Sequence, residues 1–189
     1  MPNTDLGPRA DRLTGEVFAG MVAVHGPALF GYLRHMVGQR ELAEDLLQDT
    51  FVSAFVHRAQ FHPGSAVKAW LFTIAANRAR NALRDGRWTI ADTESVSARL
   101  GSPGASPPTP EQEALRHELG TRLSEALASL PHDRREAIIL RDVEGLTYAE
   151  MARIAGGTEG AARVRVHRGR EQLRAQLRPY LAADRESEP

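Results

Sequence analysis

Residues 147–173, "TYAEMARIAGGTEGAARVRVHRGREQL", decide the fold: a short helical run, a glycine pair, then a second run with an arginine every two or three positions. Thr147 followed by Glu150 has the spacing of a capping box, which marks a helix start. "AGG" at 155–157 is a short glycine turn of the kind that joins the two helices of a helix-turn-helix. At about 100° per residue, Ala162, Val166, Gly169 and Leu173 fall on one side of the second helix, and Gly160, Val164, His167 and Glu171 fall opposite. The first set is the expected buried seam; the second faces outward. Between Thr158 and Arg178, six arginines stand against Glu159 and Glu171, an excess of four positive charges in a chain whose formal net charge is zero.

Zero overall charge argues against indiscriminate coating of nucleic acid, because non-specific affinity scales with the phosphates neutralised, so a local patch must carry any binding. In a helix-turn-helix the second helix lies in the major groove, with its first turns reaching base edges and its flanks holding phosphates. Base-edge candidates are Glu159, Arg163, Val164 and His167. Phosphate candidates are Arg165, Arg168, Arg170 and Arg174, with Thr147 at the preceding helix start. An arginine-rich solvated face is the competing reading. The capped helix, the turn and the seam, all in one register, favour DNA.

Upstream, "LGSPGASPPTP" at 100–110 has four prolines and two glycines, which no helix or sheet interior tolerates. With the aperiodic residues before it, this stretch is too long for a loop inside a compact domain. The expected architecture is all-α: two small helical domains, residues 12–85 and 114–181, joined by a flexible linker at 86–113, the second domain a helix-turn-helix. Residues 1–11 and the tail "ADRESEP" are expected to fray. Helical periodicity also marks "EQEALRHELGTRLSEALASL" and "DRREAIILRDVEG", the latter with Asp133 and Glu136 at a second capping-box spacing.

In the first half, "ELAEDLLQDTFVSAF" at 41–55 repeats Leu42, Ala43, Leu46, Leu47, Thr50 and Ala54 at three- and four-residue steps. Glu41, Asp45 and Asp49, with Glu44 beside them, make the other stripe acidic, so the helix repels DNA and suits a basic protein partner. The next run, "AVKAWLFTIAANRARNALRD", places Trp70, Thr73, Asn77, Arg80, Asn81 and Arg84 on one face, with Leu71, Ile74, Ala75, Ala79 and Ala82 on an apolar side. Aromatic, amide and cation together are what unpaired bases require for stacking, edge hydrogen bonds and backbone neutralisation. Trp70 has a second reading, as packing beneath that face.

The series "AEDLLQDTFVSAFVHRAQF", "AWLFTIAANRARNALR" and "ALASLPHDRREAIILRDVEGLTYAEMARIAGGTEGAARVRVHRGREQLR" resembles a bacterial RNA polymerase sigma factor of the extracytoplasmic-function (ECF) type, over residues 12 to 85 and 115 to 178. The resemblance implies a first domain that docks on the polymerase β′ subunit and melts the minus-ten promoter element, and a second that reads the minus-thirty-five element. Core-polymerase binding then falls to Glu41, Glu44, Asp45, Leu47, Gln48, Asp49 and Phe51. Minus-ten contacts fall to Lys68, Trp70, Thr73, Asn77, Arg80, Asn81 and Arg84. Minus-thirty-five contacts fall to Thr147, Thr158, Glu159, Arg163, Val164, Arg165, His167, Arg168 and Arg170. Expected partners are the β′ and β subunits of core polymerase, promoter DNA and an anti-sigma protein, the last implied by the family alone; the free chain is expected to be a monomer. Departures from the family pattern are Asn81 for an aspartate, a basic run cut short to "RDGR", and Ala161 and Ala162 for a threonine and a valine. The two alanines thin the seam, by about 1 kcal/mol per lost methylene-sized group.

The rest of the composition points the same way. A hydrophobic fraction of 42% and a charged fraction of 25% are those of a folded soluble chain. No cysteine is present, which excludes disulfides and thiolate metal sites and fits a reducing, cytoplasmic setting. No apolar run reaches the roughly 20 residues that span a bilayer, so no membrane insertion is expected. The histidines show no metal-ligand spacing, and neither a phosphate-binding loop nor a nucleophile elbow occurs. No cofactor, metal or catalytic residue is expected, and no enzymatic activity. Two other functions fit parts of the chain: a stand-alone helix-turn-helix regulator, and a sigma-like decoy that binds an anti-sigma protein.

Overall fold

The computed structural model describes residues 15–58, 61, 66–86 and 109–183, and every regular element among them is helical. Three helices form the first half: α1 (Gly15–Val37), α2 (Arg40–Val56) and α3 (Val67–Arg84). The second half holds α4 (Pro110–Ser129), α5 (His132–Ile138) running into a π turn (Ile139–Val143), α6 (Tyr148–Ala155) and α7 (Glu159–Ala183). The expected frayed start, residues 184–189 of the expected frayed tail, and residues 87–108 of the expected linker lie outside the described residues, while Ala183 ends the last helix. The linker boundary expected at 113 falls inside α4, which begins at Pro110. Proline suits a first helical position because its missing N–H has no partner there in any case.

Helices α1, α2 and α3 each pack on the other two. Small residues make this possible in α3, where Ala69, Ala75, Ala76, Ala79 and Ala82 are all buried. Tyr32 of α1 and Phe72 of α3 meet edge to face with centroids 5.4 Å apart and are completely buried. In the second half, α7 packs on α4, α5 and α6. The predicted seam is present: Ala162, Val166 and Gly169 are buried and Leu173 is half-buried. Its small residues bring the helices together closely. A Cβ on Gly169 would lie 2.8 Å from Ile138 Cγ1 and 3.4 Å from the Arg134 carbonyl oxygen.

The turn between α6 and α7 is as its glycines require. Gly156 has φ 66° and ends α6 in the left-handed region, while the N–H of Gly157 reaches back to the Ala152 carbonyl at 2.8 Å. At the other end of α6, Glu150 N–H donates to Thr147 Oγ1 at 3.2 Å and Thr147 N–H donates to Glu150 Oε2 at 2.8 Å, completing the capping box. The second expected box, Asp133 with Glu136, does not form. Helix α5 starts two residues earlier than that box requires, after Pro131, with no side-chain cap. Its Glu136 turns inward instead, toward the first half.

The two halves share one continuous apolar core, with α3 against α6 and α1 against α4 and α5. Arg135, 3% exposed, ties the junction: Nε donates to the Leu127 carbonyl at 2.9 Å, and its terminal nitrogens reach the carbonyls of Ala128 and Leu130, and of His35 and Met36 at 3.4 Å each. These carbonyls cluster at the C-terminal ends of α4 and α1, where helix carbonyls lack intrahelical partners; that of Leu127 also accepts from the Leu130 N–H at 3.1 Å. Burial pulls the Arg135 guanidinium pKa below its ordinary value.

Candidate nucleic-acid and partner interfaces

Helix α2 divides as its periodicity predicts. Leu42, Ala43, Leu46, Thr50 and Ala54 are buried, while Glu41, Glu44, Asp45, Gln48 and Asp49 form an exposed stripe. Two of these carboxylates have partners at the surface: Glu44 pairs with Arg40 at 3.0 Å and Asp49 with Arg78 at 3.5 Å. Leu47 and Phe51 are half-buried against the core, Phe51 edge-on to Phe18 at 6.3 Å. Sequence reasoning missed the continuation of the stripe. Val52 and Val56 are each 63% exposed and Phe55 43%, so the face changes from acidic to apolar toward the C-terminal end. The same three- and four-residue step from Asp45 and Gln48 would have found them.

Helix α3 presents its mixed face in two directions. Asn77, Asn81 and Arg84 are exposed, with Arg84 Nη2 donating to Asn81 Oδ1 at 3.1 Å. Trp70 is half-buried, its ring 5.2 Å from that of Phe61. Thr73 Oγ1 donates to the Ala69 carbonyl of its own helix at 2.8 Å. Beside them lies a shallow concavity of about 290 Å³ lined by Ser53, His57, Trp70, Ile74, Asn77, Arg78 and Asn81. Ser53 and His57 were not anticipated as neighbours of this face, because contact between α2 and α3 leaves no spacing signal.

The remaining two cations of this set turn to the second half. Arg80 donates to Glu136 Oε1 at 3.0 Å, to the Ile154 carbonyl at 2.8 Å and to Asn77 Oδ1 at 3.0 Å. Lys68 reaches Glu144 Oε2 at 3.1 Å and the Glu144 carbonyl at 2.5 Å. Glu136 also accepts from Tyr32 Oη at 2.9 Å; burial, and then the neighbouring carboxylate, push the Tyr32 phenol well up from its ordinary pKa. Against this junction lies a cavity of about 250 Å³, lined among others by Arg80, Glu136, Ala137, Ala155, Ala162 and Arg165.

On α7 the outward face is open. Glu159, Arg163, Val164, His167 and Arg168 are exposed, and none of α1, α2 or α3 covers them. Thr158 caps the helix, accepting from Ala161 N–H at 3.2 Å, and Thr147 stands exposed at the start of α6. Arg163 pairs with Glu159 at 3.3 Å and lies over the Tyr148 ring at 5.2 Å, and His167 stands 3.4 Å from Glu171. Two phosphate candidates are held from outside the helix: Arg165 by Asp133 at 3.7 Å, and Arg170 by both oxygens of Asp142 in the π turn, at 3.0 and 2.5 Å. Arg168 and Arg174 have no carboxylate partner among the described residues.

A helix carrying a carboxylate stripe, a helix carrying amides and cations, and a capped helix-turn-helix follow one another in an order that known proteins share. The Sigma-70 region 2 profile matches residues 21–89 and that of Sigma-70 region 4 matches residues 121–173. The chain is 40% identical over 162 residues to the RNA polymerase sigma factor CarQ of Myxococcus xanthus, covering 86% of this chain and 90% of that one. It is 32% identical to the ECF RNA polymerase sigma factor EcfG of Rhodopseudomonas palustris, covering 90% and 87%. Among solved structures it is similar to the sigma factor RpoE of Bartonella quintana in complex with the anti-sigma factor NepR, with TM-score 0.62 and 30% identity over 85% of this chain and 96% of that one. It is also similar to CnrH in complex with the cytosolic domain of CnrY, with TM-score 0.63 and 28% identity over 88% and 90%. The chain belongs to the ECF-type RNA polymerase sigma factors.

Proposed function

We propose that this chain is an alternative sigma factor that binds core RNA polymerase through α2, engages the opened minus-ten element through α3 and reads the minus-thirty-five element through α7. The observation that carries the reading is the presence, on one chain, of an exposed carboxylate stripe on α2 and an exposed guanidinium face on α7. The first repels duplex DNA and suits a basic protein; the second suits a major groove. Core binding is assigned to Glu41, Glu44, Asp45, Gln48 and Asp49, with Leu47 and Phe51 shaping the surface beneath them. Asn77, Asn81 and Arg84, beside the concavity under Trp70, are assigned to the unpaired strand. The chain acts as an initiation factor without chemistry of its own, in the cytoplasm, where polymerase works.

The packed arrangement is the resting state. Two promoter elements about 25 base pairs apart lie roughly 85 Å apart at 3.4 Å per step, whereas a packed chain of this length has a radius of gyration of about 16 Å. Engaging both therefore requires the halves to part, which releases Arg80 from Glu136 and Lys68 from Glu144. The Bartonella relative is in complex with an anti-sigma factor; an anti-sigma protein of this chain would restrain it by holding it closed or by covering the same faces.

Transcription in vitro with purified core polymerase tests the reading. Initiation at a defined start site, absent without the chain, is the expected result. DNA binding without initiation would assign the chain to stand-alone regulators, and neither activity would assign it to decoys.

A further inference from the structure

We infer that Val164 selects the upstream promoter element through the 5-methyl group of a thymine. The inference rests on α7 entering the major groove as proposed above. Val164 is 48% exposed, in the second turn of α7 and near the middle of its outward face. Side chains on a helix lean toward its N-terminus, so the Val164 methyl groups project over the turn occupied by Gly160. Gly160 itself carries no side chain, and apart from its chain neighbours and the helix backbone a Cβ built there would find only Thr158 Oγ1, at 3.9 Å. The valine methyls are thus uncovered on the side from which a base edge would arrive.

The polar groups around them are already directed. Arg163 is tied to Glu159 and lies over Tyr148, and His167 stands beside Glu171. These pairs flank an apolar spot in a cationic face. Of the four base-pair orientations, only those bearing thymine offer an apolar group in the major groove; guanine, cytosine and adenine present donors and acceptors that a valine would strip of water without replacing. A thymine methyl is the base-edge feature that fits.

The test uses the full chain bound to core polymerase and a pool of promoter duplexes randomised in the upstream segment. Retained duplexes are sequenced, and each thymine of the preferred segment is then replaced in turn by deoxyuridine, which removes only the methyl group. At one position the substitution should weaken binding about fourfold, the worth of one buried methyl-sized group. The Val164→Ser variant should bind the thymine and deoxyuridine duplexes equally at that position and keep its preferences elsewhere. A preferred segment without any methyl-sensitive thymine would overturn the inference, as would unchanged thymine discrimination in Val164→Ser. If no upstream segment is preferred at all, the assignment of α7 to the minus-thirty-five element fails, and this inference with it.

Discussion

Arg135 illustrates how much one buried side chain can organise. Its guanidinium serves carbonyls at the C-terminal ends of two helices that belong to different halves of the chain. Truncation would leave several buried acceptors without donors, each worth about 1–3 kcal/mol. Arg135→Ala should therefore lower unfolding free energy by about 3 kcal/mol or more, read as a drop in the urea midpoint. Gly169 makes the opposite demand, for the absence of a side chain. Any Cβ there meets Ile138 Cγ1 and the Arg134 backbone, so Gly169→Val should overpack the α5–α7 contact and cost about 1–3 kcal/mol in the same experiment. Gly169 was legible as a seam residue from periodicity. Arg135 was not: its partners lie up to 100 residues away, and no local spacing reports them.

Helix α6 is eight residues long, too short to persist alone, and depends on its cap. Thr147→Ala should cost about 1 kcal/mol. Glu150, the other half of the box, has its carboxyl held below the usual range, chiefly by the Thr147 N–H. The sign follows: a depressed folded-state pKa contributes stability above the unfolded value, near about 4.3, and that contribution disappears as pH falls through the folded-state value. Glu150→Gln should flatten part of the acid limb of thermal stability, measured from neutrality to about pH 3, and leave the neutral-to-alkaline range parallel to the parent. On α2, the substitutions Asp45→Arg and Asp49→Arg reverse the exposed stripe. They should abolish co-purification with core polymerase while helical circular dichroism is unchanged. Continued polymerase binding would refute the docking assignment. Elements of this kind were readable because burial repeats along them: the inward residues of α2 and the seam of α7 follow from a 3.6-residue period. The capping box at Asp133 and Glu136 misled because an identical spacing can serve a tertiary pair, and Glu136 has Tyr32 and Arg80 to satisfy.

Across the molecule, the decisive contacts are those that join the halves, and composition gave no sign of them. Lys68 and Arg80 look in sequence like nucleic-acid ligands; in the packed chain they are the cations of inter-half ion pairs with Glu144 and Glu136. Lys68→Glu together with Arg80→Glu would set like charges against each other at both places. Small-angle scattering should then show the radius of gyration rising by several ångströms from about 16 Å, with helix content retained. An unchanged radius would mean that the shared apolar core alone keeps the chain shut. The exposed valines and part-exposed phenylalanine at the end of α2 have a further consequence, for supply rather than for promoter choice. Oily side chains in contact with water are a standing cause of self-association. Molecules made in excess of their binding partner should coalesce with one another, so the usable amount in a cell is capped by how many partners are on hand to sheathe that end of the helix.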